Sequence, residues 1–340
     1  MKPLHRTVTR RRFLEGGARG LGVVALAGLP GVGHAAGNQS NPFAYDVERL
    51  TKTDPKLLQF EQVSRFTCPV PEPRRVALGP DNHLYVAART GVCVLDVRGQ
   101  RIADVATDSP ARGLAFGDDG TLYVALRERI EVFNQKGSRL ATWEMTGRKP
   151  WLTALAVGAN DLFAADSGNR VVLRYDRSGK PVGRIGEKNK DRNVPGLIVP
   201  SPYLDVKLAR DGLLRVNNPG RHCIEAYTAD GDLELSWGKA SAAIDGFCGC
   251  CNPVGLAMLP DARHVTCEKG LPRVKIYSAE GKLACVVAGT ESFPENARAG
   301  SVHGLSDGSM GGLDATVDAQ GTVYILDLVA TDIRVMKPKA

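Results

Sequence analysis

The sequence predicts an all-β body, a ring of six four-stranded sheets in the manner of a six-bladed β-propeller, over residues 56–340. Three observations predict it. One short pattern recurs six times along the chain. Every copy divides into apolar, alternating segments separated by Asp/Gly turns. The last copy lacks a strand that the start of the body can supply. A chain of 340 residues with 38 Gly and 20 Pro has the length and the turn content for such a ring.

The copies occupy residues 76–87, 114–125, 155–166, 206–217, 256–267 and 315–326, with starts 38, 41, 51, 50 and 59 residues apart. Each predicts a strand, a turn and a second strand. Pro80-Asp81-Asn82 and Asp118-Asp119-Gly120 are such turns. A third strand follows, as at 130–134 and 170–176. Then come a turn such as Gln135-Lys136-Gly137 or Arg177-Ser178-Gly179 and a fourth strand such as 139–143. A linear β-solenoid has shorter repeats and would not give four strands per unit. Radial repetition shields the sheet edges.

The last copy predicts strands near 313–317, 322–327 and 332–337 and then stops. Residues 56–67, with Leu57, Leu58, Phe60 and Phe66, fit the missing strand. Pairing the N-terminal strand into the last blade would close the ring and remove two open edges.

The stretch Asp166-Ser167-Gly168-Asn169-Arg170-Val171-Val172-Leu173-Arg174-Tyr175-Asp176 resembles the repeat of the NHL family of six-bladed propellers. The resemblance extends over roughly residues 56–338 and implies that fold. The matching stretches from Ala88 and from Leu126 lack the Asp and the Asn-Arg pair.

Ahead of the body, Thr9-Arg10-Arg11-Arg12-Phe13-Leu14 precedes the apolar run 21–29. Gly33-His34-Ala35 then places small residues at the −3 and −1 positions of a cleavage site. This resembles a twin-arginine (Tat) export signal over residues 1–35, which implies the periplasm and export of a folded chain. Residues 36–55 are expected to be a linker. Removing 1–35 leaves 38 of the 44 basic and 36 of the 37 acidic residues, so the net charge falls from +7 to +2. The high pI thus belongs partly to the signal. Without a basic stripe in the body, no nucleic-acid partner is expected. Beyond the first forty positions no apolar stretch reaches 18 residues, so no membrane span is expected after cleavage. A monomer is expected.

The densest chemistry is Phe247-Cys248-Gly249-Cys250-Cys251-Asn252-Pro253. It precedes the first strand of the fifth unit, and Cys267 ends that unit's second strand. In a propeller these positions share one face, so Cys248, Cys250, Cys251 and Cys267 are expected to converge near the axis. Cys68 enters the first unit on the same face. His303, in the long loop into the sixth unit, is a further candidate ligand. Thiolates suit a soft metal ion or an iron–sulfur cluster. Eight cysteines in an oxidising compartment also suit disulfides, and free thiols are the third reading. Cys93, Cys223 and Cys285 fall within strands as small core residues.

The second strands end in Asp166, Asn218, Glu268 and Asp327, a partial polar ring of the kind that binds an ion in some propeller lactonases and lyases. The ring is interrupted at Ala88 and Leu126, which favours loop capping. His83, His222 and His264 stand alone, and residues 304–312 form a Gly-rich loop between strands. No catalytic residue is assigned. The expected function is an exported binding or accessory protein that takes a protein partner or small ligand on its Cys-rich face. The alternatives are a lactonase- or lyase-type enzyme with an ion at the channel mouth and a redox or electron-transfer accessory protein.

Overall fold

The computed structural model describes residues 47–145, 147–295 and 311–339. The described residues form six antiparallel four-stranded sheets. Blade 1 comprises Arg75–Leu78, Leu84–Ala88, Gly91–Leu95 and Arg101–Val105. Blade 2 comprises Gly113–Phe116, Leu122–Ala125, Arg129–Phe133 and Arg139–Glu144. Blade 3 comprises Leu152–Val157, Asp161–Asp166, Val171–Asp176 and Pro181–Ile185. Blade 4 comprises Val206–Leu208, Leu214–Asn218, Cys223–Tyr227 and Leu233–Trp237. Blade 5 comprises Gly255–Met258, His264–Cys267, Val274–Tyr277 and Leu283–Ala288. Blade 6 comprises Leu313–Val317, Val323–Asp327 and Asp332–Pro338, and its outer strand is Phe60–Thr67 from the start of the body.

That outer strand closes the ring as the sequence predicts. It runs antiparallel to Asp332–Pro338, from Phe60 opposite Pro338 to Thr67 opposite Asp332. First and last segments thus share one sheet, and Asp332–Pro338 is paired on both sides.

The repeat works locally through its turns. Asn82, Gly120, Gly212, Ala262 and Gly321 occupy equivalent turn positions and all have positive φ. Gly and Asn reach that region at low cost, which is why the pattern carries them there. Burial separates the strands by position. The second and third strands of each blade are mostly buried, while the outer strands of blades 1, 2 and 3 expose most residues before a buried penultimate or final one.

The core is divided among the blade interfaces. Six hydrophobic clusters occur among the described residues, one between each pair of neighbouring blades. At three interfaces an outer-strand aromatic lies under a turn glycine of the next blade: Phe66 under Gly99, Trp143 under Gly179 and Trp237 under Gly281. A Cβ at Gly179 would stand 2.6 Å from the indole, so the ring can lie there only because the residue is glycine.

Residues 1–46, and with them the expected export signal, lie outside the described residues. Within the expected linker, Val47–Leu50 makes one helical turn. Thr53 donates from its backbone N–H and its Oγ1 to Glu291 at 3.3 and 3.1 Å.

Candidate functional site

The ring axis is crossed by an ion-pair network. The residue immediately before each repeat copy is, in order, Arg75, Gly113, Ala154, Asp205, Gly255 and Asp314. Arg75 Nη1 donates to Asp205 at 2.8 Å and to Asp314 at 2.7 Å, and its Nε donates to the Thr153 carbonyl at 3.1 Å. One side chain of blade 1 therefore reaches blades 3, 4 and 6. Asp205 also accepts from the Leu256 N–H of blade 5 at 2.8 Å, and Asp314 from the Val76 N–H at 2.8 Å. The three small residues of the same column leave room for this network. A Cβ at Gly255 would already stand 3.2 Å from Asp314 Oδ1.

Burial raises the pKa of both carboxylates, and Arg75 opposes it. For Asp205 the Arg75 and Lys207 charges win, and its pKa is held below the ordinary carboxylate value. For Asp314 burial and the neighbouring Asp205 charge win, and its pKa is raised. Two carboxylates around one guanidinium cannot both be fully compensated, and the second ionises at higher pH. Arg75 is held more firmly protonated by both.

The network divides the axis. On the side where chains enter the inner strands, called the entry face here, a depression of about 40 Å³ is lined by Arg74, Arg112, Thr153, Tyr203 and Val254. On the opposite side a wider funnel of about 350 Å³ is lined by the inner strands of all six blades. Its walls are mostly apolar, from Leu78 and Phe116 round to Met258 and Val317, with Lys207 on the wall and Arg75 at the base.

The cysteine loop lies on the entry face. Gly249 has φ +86°, a conformation that favours glycine between two cysteines. Asn252 pins the loop to the start of the next turn, donating to the Lys269 carbonyl at 2.8 Å and accepting from the Lys269 N–H at 2.9 Å. His222 Nε2 lies 2.7 Å from the Gly249 carbonyl. The loop thereby holds Cys250 Sγ 3.4 Å from Cys251 Sγ, with Cys250 exposed and Cys251 buried. Hydrogen bonding and charge from Cys251 raise the Cys250 pKa, and Lys269 opposes this.

The other predicted ligands are placed differently. Cys267 sits at the same end of blade 5 as the loop, its carbonyl accepting from the Val254 N–H at 2.8 Å. Its side chain, however, is fully buried in the cluster between blades 5 and 6, and burial pushes its thiol pKa well up. Cys248 is half-buried, and its backbone N–H faces Glu268 at 3.4 Å. Cys68 is buried between blades 6 and 1, its thiol pushed up to about 12. Cys93, Cys223 and Cys285 are buried in strands of blades 1, 4 and 5. Among the described residues no cysteine is in a disulfide, and no three His, Cys, Asp or Glu side chains are gathered in reach of one ion. His303 lies outside the described residues.

The four residues of the partial polar ring are all buried and bonded to their own blades or to the loops that enter them. Asp166 accepts from the Trp151 and Asn169 N–H groups at 2.9 and 3.1 Å. Asn218 accepts from the Ile198 N–H at 2.9 Å and donates to Glu225 at 3.1 Å. Glu268 takes Arg273 through both oxygens, at 3.1 and 2.9 Å, and Lys275 at 2.8 Å. Asp327 accepts from the Val329 and Ala330 N–H groups at 2.9 and 3.0 Å. They cap loops and brace blades. Reading residues motif by motif misses Arg75, Asp205 and Asp314. The signal was the column before the repeat, where one Arg and two Asp alternate with small residues.

No protein-family model matches the chain, and no curated protein matches it in sequence. Solved structures match it in shape. A streptogramin B lyase is 12% identical, covering 82% of this chain and 98% of its own, with a TM-score of 0.56. A virginiamycin B lyase from Staphylococcus aureus is also 12% identical, covering 82% of this chain and 100% of its own at TM-score 0.56. A protein of unknown function from Bacteroides thetaiotaomicron is 13% identical, covering 82% of this chain and 72% of its own at TM-score 0.56. At such identity the likeness speaks for the backbone alone, and together with the six sheets it makes the chain a six-bladed β-propeller.

Proposed function

We propose that this chain is an exported periplasmic binding protein that holds a monovalent soft metal ion, Cu(I) in character, between Cys250 and Cys251 on its entry face. The observation that carries the reading is the pair of sulfurs 3.4 Å apart, one of them exposed, in a loop braced from both sides. Soft thiolates select Cu(I) among the common metals. Zinc favours four ligands and iron–sulfur clusters take four cysteines. The loop presents two sulfurs side by side, a donor set suited to an ion of low coordination number.

A lyase- or lactonase-type reading would need a free acid–base group or an ion site at the axis. The two axial carboxylates are held by Arg75, and the four ring residues are taken up by their own blades and entry loops. That supports binding over catalysis among the described residues. Localisation rests on Arg10, Arg11 and the small residues 33–35.

Protein recovered from its native periplasm under anaerobic conditions should contain about one copper per chain, competed away by a Cu(I) chelator, with Cys250→Ser and Cys251→Ser each metal-free. A wild-type chain that stays metal-free and gives no competition would overturn the metal reading. Changing Arg10 and Arg11 together to Lys should keep the chain in the cytoplasm. Undiminished mature protein in the periplasm would overturn the export reading.

A further inference from the structure

One blade interface lacks the filling that the other five possess. In blade 2, Trp143 pairs with Ile130; in blade 4, Trp237 pairs with Ile224; in blade 6, Phe66 pairs with Ile333. Each aromatic lies beneath the turn glycine of the next blade. Trp143 stands between Tyr123 and Tyr175, with ring centroids at 5.5 and 6.3 Å. Blades 3 and 5 carry Ile185 and Ala288 at this register. There, added segments make up the volume: Val194 and Leu197 join the cluster between blades 3 and 4, and Phe293 joins the one between blades 5 and 6.

Blade 1 has Val105 at this register, opposite Val92. Tyr85 and Phe133 take the places of Tyr123 and Tyr175, but the outer strand places no ring between them. A Cβ at Gly137, the glycine that would cover such a ring, meets only a Val105 methyl within 4 Å, at 3.6 Å. The result is a cavity of about 570 Å³ between blades 1 and 2. Its apolar wall is Tyr85, Val94, Ile102, Val105, Phe116 and Leu122. Tyr85 and Phe116 meet edge to face at 4.8 Å, and Ile102 is exposed.

We infer that this cavity is a binding site for a small planar aromatic ligand of indole size. Its volume lies in the ordinary range for small-molecule sites. The shape is the one that this fold fills with its own indoles at two other interfaces. The rim disfavours a cation: Lys136 lines it, and its two carboxylates are already paired. Asp81 is taken by His83 at 2.8 Å and the Tyr85 hydroxyl at 2.9 Å, and Asp104 by Arg101 at 2.6 Å. A cationic ligand would have to break one of these pairs, whereas an aromatic ring need only displace water from Tyr85 and Phe116.

The test is titration of the full chain with indole, followed by calorimetry and by backbone amide shifts. Saturable binding is expected, with shifts concentrated at Tyr85, Val105 and Gly137. Val105→Trp should supply the missing ring and weaken indole binding at least tenfold. Val105→Met, a milder filling that keeps the proposal testable if the Trp variant does not fold, should weaken it several-fold. Absence of saturable binding, shifts centred elsewhere, or unchanged affinity in the filled variants would overturn the inference.

Discussion

Arg75 of blade 1 and Asp205 of blade 4, opposite one another in a ring of six, meet across the axis at 2.8 Å. The contact ties together blades that lie on opposite sides of the ring. It also blocks the channel. The entry depression and the opposite funnel both end on Arg75 and Asp314, so a ligand on one side does not pass to the other.

Removing the guanidinium leaves two buried carboxylates without their main partner. Arg75→Met is expected to lower stability by about 3–5 kcal/mol, the range for breaking a buried ion pair from one side. The triple change Arg75→Met, Asp205→Asn and Asp314→Asn should recover much of that loss, because no charge is then stranded. Denaturant midpoints of the three proteins check both statements. A single variant as stable as the wild type would mean that the network contributes little.

The same site sets an acid limit. The folded pKa of Asp205 lies below its unfolded value, so its contribution is fully present above the unfolded value near 3.8. It is lost as pH falls through the lower, folded value. Asp314 has the opposite sign: its raised pKa costs stability as pH rises from the unfolded to the folded value. Asp205→Asn should therefore flatten the acid side of the stability–pH curve, and Asp314→Asn should remove a loss at higher pH. Chemical denaturation at a series of pH values distinguishes them. Identical curves for the two variants would contradict the assignment.

Closure makes a prediction about cooperativity. Deleting residues 36–67 removes the outer strand of blade 6 and exposes the edge of Asp332–Pro338. The loss should be felt throughout the ring, as a lower melting temperature in probes on blades 1 and 6 alike. Unchanged melting of a soluble truncated chain would show that the strand is dispensable.

The ring and its closure were legible because they rest on local patterns. Alternation and turn glycines repeat in every copy, and the deficit of one strand could be counted. The axial network was not, because no segment of sequence contains it: Arg75, Asp205 and Asp314 are each unremarkable until six copies are placed in register. The cysteine loop was placed on the correct end of blade 5, together with the backbone of Cys267. The direction of the Cys267 side chain was not readable, since blade 5 is covered on both faces and strand alternation does not distinguish them there. Asp166, Asn218, Glu268 and Asp327 were located correctly at strand ends. Their partners, such as Arg273 and Lys275 for Glu268 and the Ile198 N–H for Asn218, lie on adjoining turns, strands and entry loops.

The central claim, a soft metal ion held by two adjacent thiolates, is tested most directly by X-ray absorption at the copper edge of the Cu(I)-loaded full-length mature protein. Two sulfur scatterers per copper are expected, lost in Cys250→Ser and in Cys251→Ser and retained in Cys267→Ser, whose side chain is buried in the core. A shell dominated by nitrogen or oxygen, or two sulfurs that survive either loop substitution, would contradict it.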